Sequence, residues 1–269
     1  MLKKDYQYLN NLIDKNKKKE KNIYQLSPNS FSNKDMIEGI KVLLSKKITM
    51  SNTVKKFEKK FAKFIGTKYA LMVNSGSSAN LLATFAMVNP MKKNKLKPGD
   101  ECLIPSLCWS TSLWPIVQAG LKPKFVDVDP KTLNISLKDL EKKISKKTKA
   151  IVPVHLSGRG SNIKNILKIA KRKKLYVIED AAEAFMSKNG NKYLGTFGNA
   201  GCFSFAPNKI ITTGQGGAVV TNNKLIHQKI LRLKDQGRVG ITTGGEDNYV
   251  SIGYNFKFTN LQSALGLPQ

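Results

Sequence analysis

Short apolar runs alternate with amphipathic stretches along most of the chain. Seven runs have the length of a strand, namely YALMVN, ECLIPS, PKFVDV, AIVPVHL, LYVIED, GCFSFA and GGAVVT. Between them lie stretches with helical spacing, such as SSANLLATFAMV and IKNILKIAKRKK. Strands that alternate with helices indicate an α/β domain with a largely parallel sheet. In such sheets, ligands bind at the carboxyl ends of the strands.

The first part of the chain follows a different pattern. Residues 1–32 are polar and rich in Lys and Asn, and we predict a helix followed by a loose connector. Residues 33–64 carry apolar positions at helical spacing, which predict two helices separated by a turn near TMSNT. We therefore divide the chain into a polar N-terminal segment, 1–32, and a large domain, 33–269.

Composition narrows the class of protein. No run of about 18 apolar residues occurs, so the sequence predicts no membrane-spanning helix. The basic N-terminus has no apolar region after it, which argues against a secretory signal. The three cysteines form no CxxC pair, which argues against a disulfide framework or a zinc site. We expect a cytoplasmic protein without a metal.

The net charge of +28 raises the possibility of a nucleic-acid partner. Arginine is the residue best suited to bidentate contacts with phosphates and bases, yet the chain has only four: Arg159, Arg172, Arg232 and Arg238. The lysines are scattered over amphipathic stretches, so we expect solvated Lys-rich faces and no nucleic-acid partner. Such a surface would still attract anionic substrates.

Two strand ends carry titratable side chains. LYVIED ends at Asp180, where the carboxylate could serve a ligand or cap a following helix. AIVPVHL ends near His155, which alone is better explained as a structural residue with satisfied hydrogen bonds. The residues by themselves leave both alternatives open for Asp180.

The segment NSGSSAN follows a strand and opens an apolar helix. Gly76 permits a tight turn, and Ser75, Ser77 and Ser78 add hydroxyl groups. Backbone N–H groups and the helix dipole favour an anion at such a helix start, so the segment is a candidate phosphate site. Serine-rich helix starts are also common as plain caps.

Lys209 lies in the segment GCFSFAPNKIITTGQGGAVVTNN, beyond a strand end and the turn Pro207-Asn208. A lysine held near strand ends in partly apolar surroundings can act as an amine nucleophile. Among so many lysines, a solvated charge is the plainer interpretation. Only the surrounding motifs can distinguish a nucleophilic amine from a solvated charge at Lys209.

Together these segments resemble the DegT/StrS-type sugar aminotransferases, a branch of the fold-type-I pyridoxal 5'-phosphate (PLP) enzymes. The resemblance runs from about Asp35 to the end of the chain, in the family's order, through VKKFEKKFAKFIGTKYALMVNSGSSANLLA, PGDECLIPSLCWSTSLWPIVQAGLKPKFVDVDPKTLNI, VIEDAAEAF, GTFGNAGCFSFAPNKIITTGQGGAVVTN and GYNFKFTNLQSALGL. It implies a three-layer α/β/α large domain with a mostly parallel mixed sheet. It also implies a C-terminal small domain that is largely missing here, so the chain looks truncated.

The resemblance assigns four residues to the ring of PLP. Lys209, in the SFxxxK pattern, matches the lysine that forms the Schiff base with the cofactor. Asp180 matches the carboxylate that bonds the pyridine nitrogen and keeps it protonated, so that the ring can act as an electron sink. Trp109 matches the aromatic residue that stacks on the ring, and Glu183 matches a position that approaches the 3-hydroxyl.

The resemblance assigns four further residues to the phosphate of PLP. Ser77, Ser78 and Ser204 match its contacts within one subunit. Asn255, in GYNF, matches the residue that the neighbouring subunit supplies, which implies a homodimer with a shared active site.

The implied function is ping-pong transamination. Glutamate, the expected amino donor, leaves its amino group on the cofactor, and a nucleotide-linked keto-sugar then receives it. Lys209 moves the proton in both halves. The product would be an amino sugar for surface polysaccharide such as O-antigen.

Two alternatives stay open. Some members with similar WST and NSGSSAN segments carry His in place of the lysine and act as PLP-dependent nucleotide-sugar 3-dehydratases. Gln215 replaces the usual acid of EGG and Lys257 replaces the usual Arg of NYR, which puts substrate contacts in doubt. With the missing small domain, these departures also allow a non-catalytic fragment or regulatory protein of the same fold.

Overall fold

The computed structural model describes residues 3–16, 31–49, 51–88, 96–239 and 248–269. Helix α1 (Lys3–Lys15) lies in the polar N-terminal segment, and the predicted connector falls mostly outside the described residues. Helices α2 (Asn33–Leu44) and α3 (Asn52–Ile65) follow, as the apolar spacing predicts. The division of the chain at residue 32 stays a prediction.

All seven apolar runs form strands. The strands are, in chain order, β1 (Tyr69–Val73), β2 (Glu101–Pro105), β3 (Lys122–Val126), β4 (Thr148–Ile151), β5 (Tyr176–Asp180), β6 (Lys188–Asn189), β7 (Lys192–Tyr193), β8 (Ala200–Ser204), β9 (Gly217–Thr221), β10 (Arg238–Val239) and β11 (Asn248–Tyr249). The seven predicted ones form a single sheet in the order β1-β9-β8-β5-β4-β2-β3, and β6-β7 and β10-β11 form two small pairs.

One strand of the large sheet runs against the others. β9 is antiparallel to both of its neighbours, β1 and β8. The remaining pairs are parallel, so six strands share one direction. The mostly parallel, mixed sheet is therefore confirmed.

Helices cover both faces of the sheet. The remaining helices are α4 (Gly76–Val88), α5 (Ser110–Gln118), α6 (Leu137–Lys143), α7 (Ile163–Lys173), α8 (Lys224–Leu233) and α9 (Asn260–Gly266). Successive strand residues point to opposite faces, so β1 sends Ala70 and Met72 into one core and Leu71 and Val73 into the other. The first core includes side chains of α3, α6 and α7, and the second includes those of α4, α5 and α8. The fold thus has three layers.

Helix α3 shows how the sequence defines an element. Its buried side chains include Val54, Phe57, Phe61 and Ile65, three or four residues apart on one helical face. It ends at Gly66, whose φ of 74° lies in the left-handed region that glycine adopts readily. None of the described helices is long and apolar enough to cross a membrane.

The direction of the strands brings several chain segments to one edge of the sheet. β5 and β8 are parallel and end at Asp180 and Ser204. β9 runs the other way and starts there, since Gly217 pairs with both Ser204 and Val73. The turns after β1, β5 and β8 therefore meet at this edge, as expected for the ligand site of an α/β fold.

Candidate active site

A cavity of about 410 Å³ opens at this edge of the sheet. Six of the eight predicted site residues line it: Ser77, Trp109, Asp180, Glu183, Ser204 and Lys209. They come from four places along the chain, namely the first turn of α4, the residue before α5, the segment at the end of β5, and the turn that starts at the end of β8. Residues far apart in sequence therefore face one space.

Asp180 is the last residue of β5 and is 96% buried, with 4% of its surface exposed. Its Oδ2 accepts hydrogen bonds from Asn80 Nδ2 at 2.8 Å and from Ser112 Oγ at 2.6 Å. Its Oδ1 accepts one from the backbone N–H of Ala182 at 3.1 Å. Asp180 caps no helix, because the described chain forms turns after β5. It is a hydrogen-bonded acceptor in the cavity wall.

Lys209 approaches the cavity from the turn after β8. The backbone N–H of Lys209 donates to Ala206 O at 3.0 Å, which closes the turn predicted around Pro207. The Lys209 side chain is 18% exposed, and its Nζ lies 3.6 Å from Glu183 Oε1. The amine is therefore held inside the cavity beside a carboxylate.

Glu183 is the acidic partner of Lys209 in this ion pair. Its Oε2 accepts a hydrogen bond from the backbone N–H of Ser157 at 2.7 Å, and its side chain is 44% exposed. A second cavity of about 200 Å³ is also lined by Glu183 and Lys209. Lys209 and Glu183 therefore line both cavities.

Trp109 presents a large apolar surface to solvent at the rim of the cavity. It is 73% exposed, although indole side chains are usually well covered. It precedes α5 with an extended backbone, φ −71° and ψ 145°. A flat ligand in the cavity could cover this ring.

Two glycines bring the start of α4 close to the sheet. A Cβ on Gly76 would lie 2.8 Å from Ser204 Cβ, and a Cβ on Gly217 would lie 2.5 Å from Ser75 O. Only glycine tolerates such approaches. The first turn of α4 and the Ser204 hydroxyl therefore form one small-residue wall of the cavity.

Two residues that were predicted to contact the phosphate, Ser78 and Asn255, do not line the cavity. Ser78 is 7% exposed and does not line the cavity, and its Oγ lies 2.9 Å from Ser75 Oγ. Its backbone N–H also donates to Ser75 Oγ, so both polar groups of Ser78 contact the serine that caps the helix. Asn255 is exposed and bridges to Asp235, outside the cavity. Its role across a subunit boundary stays a prediction.

His155 and Glu179 form a buried pair beside the cavity, which His155 helps to line. His155 Nε2 lies 2.9 Å from Glu179 Oε2, and its Nδ1 accepts from the backbone N–H of Ser161 at 3.2 Å. Glu179 also accepts from the backbone N–H groups of residues 195, 197 and 198. His155 therefore has partners on both ring nitrogens, which agrees with its structural interpretation. Sequence reasoning missed Glu179, although strand alternation places it on the face opposite Asp180.

Two thiols lie close to Asp180. Burial raises the pKa of Cys108, and the negative charge of Asp180 raises it further. Burial, followed by the charges of Asp180 and Glu179, raises the pKa of Cys202 well above its usual value. Both groups stay protonated at neutral pH, so neither is an activated nucleophile.

The two residues that depart from the family pattern have different surroundings. Gln215 is exposed and lines the cavity. Lys257 Nζ bonds Asp235 Oδ1 at 3.1 Å, and Arg238 bonds Oδ2 of the same carboxylate at 2.9 Å. Burial raises the pKa of Asp235, but the hydrogen bonds from Arg238 and Lys257 outweigh it and lower the pKa overall. Lys257 thus contributes to an ion-pair cluster.

A family model described as the DegT/DnrJ/EryC1/StrS aminotransferase family matches residues 31–269. The chain belongs to this family. The resemblance read from the sequence motifs is therefore confirmed, and the fold agrees with it.

The chain is similar both to proteins named as perosamine synthases and to proteins named as 3-dehydratases. GDP-perosamine synthase of Escherichia coli O157:H7 is 43% identical over 218 residues, which cover 81% of this chain and 57% of that protein. The chain thus spans little more than half the length of that relative.

Solved DegT-family structures superpose closely. A GDP-4-keto-6-deoxymannose-3-dehydratase with a trapped PLP-glutamate geminal diamine has a TM-score of 0.86 at 36% identity, covering 91% of this chain and 67% of that one. A double variant of the dehydratase ColD has neighbouring serine and histidine residues replaced by asparagine and lysine. It has a TM-score of 0.85 at 36% identity, covering 90% and 67%. These likenesses establish the fold type shared with the PLP aminotransferases.

Proposed function

We propose that this chain is the PLP-binding part of a nucleotide-sugar aminotransferase. The observation that carries the proposal is the cavity that unites an amine, Lys209, with a buried carboxylate, Asp180, an exposed indole, Trp109, and a small-residue helix start. The family membership supports the same assignment. The chain spans 57% of its perosamine-synthase relative, so the activity of the whole protein is part of the proposal.

The residues present fit PLP. Lys209 would hold the cofactor covalently through Nζ, and Asp180 would accept the N–H of the pyridine ring. Trp109 would cover one ring face, and Glu183 would approach the 3-hydroxyl. The phosphate suits the start of α4, where the close approach of Gly76 to Ser204 leaves a narrow cradle beside Ser77 and the helix dipole favours an anion. Ser78 would stabilise the start of α4 through its bond to Ser75, and its hydroxyl would not contact the phosphate directly.

When bound, PLP supplies the electron sink that stabilises a carbanion on the amino donor. Lys209 then acts as the base and acid, since its Nζ is placed in the cavity to move a proton between carbon atoms. Glutamate is the proposed donor, and a nucleotide-linked keto-sugar is the proposed acceptor. The product would be an amino sugar for surface polysaccharide.

The complete enzyme is proposed to be a cytoplasmic homodimer. Asn255 lies on the exposed surface and outside its own cavity, so a second subunit would have to bring it to the phosphate. Within the described residues, no group of three or more His, Cys, Asp and Glu side chains could hold a metal ion.

The second candidate is a PLP-dependent 3-dehydratase, because a structure with that name superposes on the chain. Residue 209 favours transamination, since a lysine can hold the cofactor and move the proton. The ColD variant carries an asparagine and a lysine in neighbouring positions, and this chain has the same two residue types at Asn208 and Lys209. The dehydratase name therefore does not decide the reaction here.

Glutamate tests the proposal directly. We expect the chain to become coloured with PLP, and glutamate to convert the spectrum to that of the pyridoxamine form with release of 2-oxoglutarate. The Lys209→Ala variant should lose this conversion. The relative named as a 3-dehydratase carries a trapped PLP-glutamate adduct, so the sugar product, and not the glutamate reaction, separates the two candidates. With the keto-sugar added, a transaminase would release an amino sugar, whereas a dehydratase would release a sugar that has lost its C3 hydroxyl. A chain that stays colourless with PLP, and whose spectrum Lys209→Ala leaves unchanged, would be a non-catalytic member of the fold.

A further inference from the structure

Two polar side chains on neighbouring helices point at the same oxygen of Asp180. Asn80, in the second turn of α4, donates from Nδ2 to Asp180 Oδ2 at 2.8 Å. Ser112, in the first turn of α5, donates from Oγ to the same oxygen at 2.6 Å. Asn80 is 5% exposed and Ser112 is 2% exposed, so both bonds are shielded from water. Oδ2 therefore has both of its acceptor sites occupied.

Because Asp180 Oδ2 already accepts two hydrogen bonds, Oδ1 is the oxygen that can accept a further one. Oδ1 accepts the backbone N–H of Ala182 and has capacity for one more donor. Asp180 also lines the cavity, so this capacity is available to a ring N–H. Three hydrogen bonds, from Asn80, Ser112 and the backbone of Ala182, fix the plane of the Asp180 carboxylate.

The amide orientation of Asn80 indicates that it serves Asp180. Asn80 Oδ1 is buried and has no hydrogen-bond partner within the described residues, which is costly for a carbonyl oxygen. Turning the amide would place this oxygen against the Asp180 carboxylate, which only accepts hydrogen bonds. In the observed orientation, the amide nitrogen of Asn80 donates to Asp180.

The same contacts connect the walls of the cavity. Asn80 Nδ2 lies 3.4 Å from Thr111 O, which ties α4 to α5. The backbone N–H of Ser112 donates to Trp109 O at 2.9 Å, so the indole and the serine share one turn. The two helices that carry the phosphate cradle and the ring-stacking residue therefore converge on Asp180.

We propose that Asn80 and Ser112 are positioning residues, which hold the Asp180 carboxylate aimed at the pyridine nitrogen of PLP. The proposal rests on the proposed function, because it requires that PLP binds in this cavity. It adds two residues that act on the cofactor through their hydrogen bonds to Asp180, and Asn80 also lines the cavity.

Nuclear magnetic resonance of PLP labelled with nitrogen-15 in the ring tests this proposal. We expect the wild-type chain to show a protonated ring nitrogen. In Asn80→Leu and Ser112→Ala, the signal should move toward that of neutral pyridine. Each variant should also bind PLP about tenfold more weakly, the usual consequence of losing a hydrogen bond to a charged group.

Two control variants separate positioning from packing. Ser112→Thr keeps the hydroxyl and should retain the wild-type nitrogen signal. Thr84→Val removes a buried hydroxyl one turn farther along α4, where Thr84 Oγ1 donates to Asn80 O at 2.9 Å. This variant leaves Asp180 untouched, so it should also behave like the wild type.

Different outcomes overturn different claims. If the wild type binds PLP, and both Asn80→Leu and Ser112→Ala keep its nitrogen signal, the positioning role is wrong and the proposed function survives. An equal signal shift in Thr84→Val would likewise contradict the role, because packing alone would explain it. If the wild-type chain binds no PLP, the proposed function and this proposal both fail.

Discussion

Neighbouring residues of β5 serve opposite faces of the sheet. Asp180 points to the cavity, and Glu179 points away to accept three backbone N–H bonds and the His155 contact. This is the alternation that any strand imposes. The cavity carboxylate therefore sits on a strand end that Glu179 anchors from behind.

Replacing Glu179 by Ala should strongly destabilise the chain. The change leaves three backbone donors and His155 without their acceptor in a buried site, and the free energy of unfolding should fall by about 3 kcal/mol or more. Urea titration measures this. The control is Glu141→Ala, which removes an exposed ion pair with Arg172 and should change the free energy by less than about 0.5 kcal/mol. Equal effects of the two changes would refute the anchoring role.

The reactivity of the partly exposed Cys108 thiol tests whether PLP binds in this cavity. Cys102 and Cys202 are buried, and burial raises the pKa of Cys102 to about 12. We expect iodoacetamide to modify Cys108 first, slowly at neutral pH and faster as the pH rises, because its raised pKa keeps it a thiol. PLP should slow the reaction, since Cys108 lines the same cavity. Peptide mapping that finds no protection by PLP would place the cofactor elsewhere.

At the scale of elements, the apolar runs predicted every strand of the large sheet, but not their directions. A buried run such as GGAVVT looks the same for either direction, and pairing with β1 and β8 decides that β9 is antiparallel. Asn80 was not singled out from the sequence, because its bond to Asp180 depends on how α4 lies against β5. Ser78 could not be placed from sequence, because its rotamer follows from the bond to Ser75.

The close approach of β9 to the start of α4 can be tested by adding one methyl group. Gly217→Ala would place Cβ 2.5 Å from Ser75 O and 2.7 Å from Gly76 N, so the first turn of α4 must shift. We expect lower stability and at least tenfold weaker PLP binding, measured by absorbance titration. In Gly160→Ala the new Cβ makes an ordinary contact at 3.4 Å, and PLP binding should be unchanged. Unimpaired binding by Gly217→Ala would contradict the cradle.

At the scale of the whole molecule, the proposed shared site makes a specific prediction for mixed dimers. Lys209→Ala and Asn255→Ala chains should each be defective in the glutamate half-reaction. A mixed dimer would contain one site with both native residues, so an equal mixture that has exchanged subunits should regain about a quarter of the wild-type amplitude. Rapid-mixing absorbance measures this amplitude. No recovery, in dimers shown to be mixed by mass spectrometry, would mean that each site belongs to one chain.

The account as a whole depends on Lys209 being the amine that holds PLP in this cavity. Treating the PLP-loaded chain with borohydride fixes the cofactor to its lysine, and mass spectrometry of the digested chain locates the added mass. We predict the pyridoxyl group on the peptide that contains Lys209, and on no other lysine to a comparable extent. A pyridoxyl group found mainly on another lysine, or none retained at all, would contradict the account.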